Sequence, residues 1–221
     1  MDELNKIVSQ YRLLSRSEAV GVSRRVKNLN SYCINRGSFS TLGPATYQDD
    51  PLAYPTLSNA FNPHIMNSFR GLLQKLASWV SDQGKIPAFL PGTALPSFHV
   101  INHRANGVEG SIHVDEPFKR VNWGCDFTDP FSFTMAVELP ACGGGLNIWP
   151  DCTDEDLTAY EIDHAVPDSV YMPYEIGVMY VHDGMTPHQM ANPGDMAPHE
   201  HRITFQGHGL TLETGVTVLY F

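Results

Sequence analysis

His113 and Asp115 stand two residues apart in the stretch Gly110-Ser111-Ile112-His113-Val114-Asp115. On an extended strand, residues i and i+2 point to the same side, so an imidazole and a carboxylate share one face. Such a pair can take two adjacent corners of an octahedral metal ion. A further imidazole from later in the chain would complete a 2-His-1-carboxylate face and leave the opposite positions open to small molecules. By itself the H-x-D tripeptide is short and common, and a surface pair or a strand-end Asp accounts for many instances. Its weight depends on the residues downstream of it.

The C-terminal half is rich in histidine. The chain holds 10, and seven of them lie after residue 110. The segment Gly177 to His188 contributes two: His182 continues an apolar strand, and His188 comes after a Gly184/Pro187 turn where a strand restarts. Spacing alone leaves both open as a third donor. Arg202 and Thr204 are again two apart, and an Arg fork beside a hydroxyl suits a carboxylate. Glu200 nearby offers Arg202 a surface ion pair as the competing use. Gln206 and His208 continue that face, either lining a pocket or hydrogen-bonding within the sheet. Phe118, Trp123 and Trp149 flank the H-x-D segment as pocket wall or as core. His99, His103, His164, His199 and His201 read as structural or exposed, Asp183 and Asp195 beside glycines as turn residues, and Glu138 as a strand-end acid.

The elements that must position these groups change character along the chain. Leu4, Ile7, Val8, Tyr11 and Leu14 are at helical spacing, which predicts a short amphipathic helix over 2–14. Residues 31–54 read as loops with one short strand. Asn62-Pro63 reads as a helix start, with Asn62 as N-cap and Pro63 at the first helical position. Ile65, Phe69, Leu72, Leu73, Leu76, Trp79 and Val80 then form one apolar stripe, and Gly84 is its stop. From Pro96 the period falls to two, in 98–102, 131–137, 146–149, 176–181, 202–208 and 215–220. About seven or eight short strands joined by Gly/Pro-rich turns predict an α+β protein, an antiparallel barrel with N-terminal helices on one outer face. No repeat or linker divides it, so one domain over 1–221 is expected, with 1–95 mainly helix and loop and 96–221 the barrel core.

Composition narrows the classes. Of 221 residues, 42% are hydrophobic and 17% charged, as in a globular chain with one sizeable core. The net charge of −10 and the lack of a Lys/Arg stripe argue against a nucleic-acid surface. No run of about 18 apolar residues exists, so no membrane span is expected. Met1 to Lys6 lacks a signal-peptide pattern, and the 4 cysteines have neither disulfide-scaffold nor zinc-site spacing, so a cytoplasmic protein is expected.

In combination these features resemble the 2-oxoglutarate/Fe(II)-dependent dioxygenase superfamily. The matching elements are the H-x-D pair, a strand opened by Gly177, a turn, His188, and then Arg202 with Thr204 on the last long strand. Gly143-Gly144-Gly145-Leu146-Asn147-Ile148-Trp149-Pro150 is similar to the stretch found in that family's prolyl-hydroxylase branch. Pro96-Ser97-Phe98-His99 and Thr41-Leu42-Gly43-Pro44-Ala45-Thr46-Tyr47 are similar to the branch that includes amino-acid halogenases. The resemblance covers roughly residues 96–212. It implies a double-stranded β-helix, a jelly-roll or cupin-like barrel, with Fe(II) held by His113, Asp115 and His188. It further implies 2-oxoglutarate anchored by Arg202 and Thr204, with O2 and a small-molecule substrate as the other partners. Halogenating members carry Gly or Ala where this chain has Asp115, so the departure favours hydroxylation. A cupin-type metal protein and a barrel that binds a small ligand without turnover are the alternatives.

Overall fold

The computed structural model describes residues 7–33, 63–90, 97–102, 112–152, 169–192 and 194–220. In chain order these form β1 (Ser9–Arg12), α1 (Arg16–Cys33), α2 (Pro63–Asp82), β2 (Ile86–Phe89), β3 (Ser97–Asn102), β4 (Phe127–Glu138), β5 (Gly145–Ile148), β6 (Val170–Pro173), β7 (Val178–His182), β8 (His188–Met190), β9 (His201–Leu212) and β10 (Val216–Tyr220). The larger sheet runs β1-β7-β4-β9-β10-β2, with β3 also paired to β9. A second sheet of three strands runs β6-β5-β8.

Alternation along the strands gives the larger sheet two unlike faces. Ile203 and Phe205 of β9, Phe133 and Met135 of β4, and Phe98 of β3 lie on the outer one. There Ala19, Val22 and Val26 of α1 and Phe69, Leu72, Leu76 and Val80 of α2 close over them. Each buried side chain of this size contributes about 1.5–3 kcal/mol, so tertiary packing rather than intrinsic propensity holds the helices. On the inner face Ala136, Val178 and Tyr180 pack against Leu146, Ile148 and Met172 of the three-stranded sheet. The remaining inner positions of β9 are Arg202, Thr204, Gln206 and His208. Across the strand pairs, Thr204 faces Ala136 and His99, and His208 faces Ser132 and Tyr220. A polar chamber therefore lies behind an apolar layer, set by the parity of one strand.

Two expectations for the N-terminal part change. Residues 9–12 are not helical: β1 pairs antiparallel with β7, Tyr11 opposite Met179. The free edge of β7 supplies backbone partners that no local helix offers, and Val8 and Tyr11 go to opposite faces of the sheet. Beyond β1 the Leu13 and Leu14 amides both donate to the Gly177 carbonyl, at 2.9 and 3.0 Å. Gly177 has φ +80, and Leu14 backbone occupies the space of a Cβ there, so no other residue fits. Residues 1–95 also contribute strand: β2 adds parallel to β10, Val218 opposite Ala88. The predicted α2 and its Gly84 stop appear as expected, Gly84 at φ +75. Leu4, the 41–47 stretch, Asn62, His103, Gly110, Ser111 and His164 lie outside the described residues. No helix among the described residues is long and apolar enough to cross a membrane.

Candidate metal centre

His113 meets His188 through backbone first. The His113 amide donates to the His188 carbonyl at 3.0 Å, and the His188 amide donates back to the His113 carbonyl at 2.9 Å. This bridge adds the H-x-D segment to the free edge of β8 and sets the two rings side by side, with centroids 4.5 Å apart. Two residues on, the Asp115 amide donates to the Gly184 carbonyl at 2.7 Å, which turns its carboxylate toward both rings. Asp115 Oδ2 lies 3.3 Å from His188 Nε2, and Oδ1 lies 3.7 Å from His113 Nε2. One donor atom from each of the three residues falls within 4.8 Å of the others, a spacing that a single ion can span. The His188 side chain is 7% exposed and that of His113 47%, so the cluster opens to solvent on the His113 side.

The electrostatics favour an ionised carboxylate within the cluster. Burial works to raise the Asp115 carboxyl, yet the His188 hydrogen bond and the rings of His208 and His182 outweigh it and hold the group well below the usual range. Burial likewise works to lower His188, and the Asp115 carboxylate outweighs it and raises it. His188 Nδ1 is hydrogen-bonded to the Thr186 carbonyl at 2.9 Å, which leaves Nε2 for the cluster.

His182 stands apart from the three. It is buried, its Nδ1 accepts the Gly184 amide at 3.1 Å, and its ring edge meets His188 with centroids 4.6 Å apart. Burial pushes His182 down to about 3 and, with the Arg202 charge, His99 down to about 4. Both rings are thus neutral in the fold over a range where the unfolded chain binds protons from about pH 6.5 downward. Stability of the metal-free protein should therefore fall as pH drops below about 6.5. Each ring adds a slope approaching about 1.4 kcal/mol per pH unit. Urea unfolding at pH 7.5, 6 and 5 measures this, and an unchanged midpoint would mean that the rings are hydrated.

Arg202 is 1% exposed and has no carboxylate partner among the described residues. Its two terminal nitrogens donate to the Ala191 carbonyl at 3.0 Å and the Gly145 carbonyl at 3.1 Å, and its guanidinium lies over the Tyr174 ring at 5.1 Å. Arg202 Nε is buried without a hydrogen-bond partner. Glu200, the rival partner, instead accepts the amides of Ala141 and Ala197 at 2.7 and 2.8 Å. Gly144 and Gly145 make the approach possible: a Cβ at Gly144 would already touch the Arg202 side chain, and one at Gly145 would strike the Met172 carbonyl. Thr204 accepts from Gln206 Nε2 at 2.9 Å, which leaves its own proton to give.

Near the cluster, His208 Nδ1 is hydrogen-bonded to Ser132 Oγ at 2.9 Å, and its ring stacks on Tyr220 at 5.5 Å. Tyr220 meets Trp123 at 5.4 Å, and Phe127 links Trp123 to Phe118, so these aromatic rings form one contiguous cluster that reaches His208 through Tyr220. Trp149 is buried, its amide donating to the Pro187 carbonyl. His201 approaches Glu138, which Ser23 and Lys27 also engage. Sequence reading did not single out Ser132, Tyr174, Thr186 or Tyr220; Tyr174 and Tyr220 are joined to the chamber only through pairings distant in sequence.

The two sheets make a cupin-like fold. Solved 2-oxoglutarate dioxygenases share it. The structure of an N-substituted L-amino acid dioxygenase from Burkholderia ambifaria AMMD, in complex with alpha-KG, aligns with TM-score 0.58 at 11% identity. That alignment covers 97% of this chain and 86% of that one. A second structure of such an enzyme from the same organism aligns with TM-score 0.51 at 13% identity, over 90% and 91% of the two chains. No protein-family model and no curated protein matches the sequence.

Proposed function

We propose that this chain is a non-haem Fe(II)- and 2-oxoglutarate-dependent oxygenase that hydroxylates an unactivated C–H bond of a small metabolite, amino acid or natural-product intermediate. The observation that carries the reading is the His113–Asp115–His188 cluster together with a buried Arg202 that has no carboxylate partner among the described residues. On this reading the fold is a double-stranded β-helix forming one domain, buttressed by α1 and α2.

Two imidazoles and a carboxylate are a donor set that suits Fe(II) and leaves positions open for exogenous ligands. Fe(II), 2-oxoglutarate and O2 together supply the oxidation of the C–H bond, with release of succinate and CO2. The chain's residues do the rest. Arg202 and Thr204 hold the far carboxylate of 2-oxoglutarate, and the orphaned Nε and the free Thr204 proton are what such an anion would satisfy. From His188 to Ala191, whose carbonyl holds Arg202, the chain advances roughly 10 Å, so a short dicarboxylate fits between cluster and guanidinium. Phe118, Trp123 and Tyr220 keep one side of the chamber apolar. The alignment with an amino acid dioxygenase supports a small substrate, and the net charge of −10 disfavours nucleic acid.

Metal content and succinate formed from 2-oxoglutarate test the proposal. One iron per chain with succinate release supports it. Metal without succinate would favour the cupin-type alternative, and neither would favour a ligand-binding barrel. Asp115 bears on the outcome of the reaction, because a ligand carboxylate fills the position that a halide would need. Wild-type enzyme should give oxidised, halide-free product even in high chloride or bromide. Asp115→Gly should lose most hydroxylation. Mass spectrometry of the product decides, and halogenated product from the wild type would sink the assignment of Asp115 as ligand.

A further inference from the structure

We propose that Asp183 is a positioning residue for the metal centre: its carboxylate holds the Asp183–Pro187 turn in the shape that aims both His188 and Asp115. This inference rests on the metal-centre reading above. Asp183 itself is exposed and lies outside the His-Asp-His cluster. Its Oδ1 accepts two successive amides, Met185 at 2.9 Å and Thr186 at 2.9 Å, and the Thr186 hydroxyl approaches Oδ2 at 3.4 Å. Those contacts pin the residue whose carbonyl is bonded to His188 Nδ1 at 2.9 Å. That carbonyl fixes the tautomer and plane of the ring and so presents Nε2 to the ion.

The same turn reaches the carboxylate ligand from its other side. The Gly184 carbonyl accepts the Asp115 amide at 2.7 Å, while the Gly184 amide donates to His182 Nδ1 at 3.1 Å. Gly184 has φ +77, and a Cβ there would lie 3.0 Å from Ser132 Oγ and 3.3 Å from the Asp115 carbonyl oxygen, so the turn seats directly against the ligand segment. Two ligands on separate segments thus take their orientation from one short loop, and a single exposed side chain holds that loop together. Asp183 also brings a negative charge near the His188 ring. Geometry and charge are therefore the two roles that an experiment must part.

Asp183→Asn keeps an oxygen acceptor at the same place and removes the charge. Asp183→Glu keeps the charge and moves the acceptor out by a methylene. Metal-free protein is titrated with Co(II), a redox-stable probe for the Fe(II) site, and monitored by its visible absorption. Wild type and Asn should bind one Co(II) with similar affinity and band shape, and Glu should bind about 10–100-fold more weakly with a shifted band. Glu binding as tightly as wild type would overturn the proposal, as would Asn weakened as much as Glu, which would assign the effect to charge. Asp183 is exposed, so neither exchange opens a cavity. If Glu nonetheless does not fold, Asp183→Ala, which removes the acceptor, replaces it with the same expected loss, and full affinity there also overturns the proposal. A wild type that takes up no Co(II) is a different failure, that of the metal centre itself.

Discussion

His188→Ala is expected to bind no stoichiometric iron and to lose succinate formation, while His182→Ala keeps close to one iron per chain. The two rings are edge to face, 4.6 Å apart, and both are buried, so general damage to the region would affect them alike. Their hydrogen bonds differ. His188 Nε2 points to Asp115 at 3.3 Å, whereas His182 spends Nδ1 on the Gly184 amide. Loss of a direct ligand should weaken metal binding by more than the about 10–100-fold typical of supporting residues. Asp115 raises His188 and so favours its protonated form, which competes with the ion, and affinity should fall as pH drops. Iron retained by His188→Ala and lost by His182→Ala would transfer the ligand role to His182.

Arg202→Ala should raise the 2-oxoglutarate requirement by roughly 30-fold or more, with iron still bound. Truncating one partner of a buried charged contact typically costs about 2–5 kcal/mol, and Arg202 is enclosed well enough to be of that kind. Burial lowers the pKa of this guanidinium, and two carbonyls and Tyr174 offset part of the desolvation. 2-Oxoglutarate should therefore raise the melting temperature of wild-type protein, and Arg202→Ala should need roughly 30-fold more of it for the same rise. Saturation at the same 2-oxoglutarate concentration in both proteins would remove Arg202 from the site.

Spacing made much of this legible. The pairs His113/Asp115 and Arg202/Thr204 could be read as sharing faces because a strand has period two, and six of the strands carried that period openly. The choice between His182 and His188 could not be read that way. Both come after the same glycine, and what distinguishes them is a backbone bridge from His188 to a segment some 75 residues earlier, a contact without local signature. β2 and β6 are four residues each and contain Pro87 and Pro173, which argue against strand by propensity and are tolerated at sheet edges. β1 exists because β7 has a free edge, another non-local cause. α1 did have a signal. Ser15-Arg16-Ser17-Glu18 is a capping box, with the Glu18 amide donating to Ser15 Oγ at 3.3 Å and the Ser15 amide donating to Glu18 at 2.8 Å. Ala19, Val22 and Val26 then mark one narrow stripe on an otherwise polar helix, too sparse to stand out from composition.

The two-sided character of β9 also decides which alterations the protein can absorb. Exchanging a residue at 202, 204, 206 or 208 meets the chamber and leaves the helices undisturbed, while exchanging 203 or 205 does the reverse. Reactivity and foldedness can thus be rewritten almost independently, letter by letter. A single-residue deletion between 201 and 208 abolishes that independence. It slips the register on one side of the cut, so that apolar and polar side chains there exchange faces. Libraries aimed at new substrates should therefore vary Gln206 and His208, keep Arg202 and Thr204, and never shift the strand's reading frame.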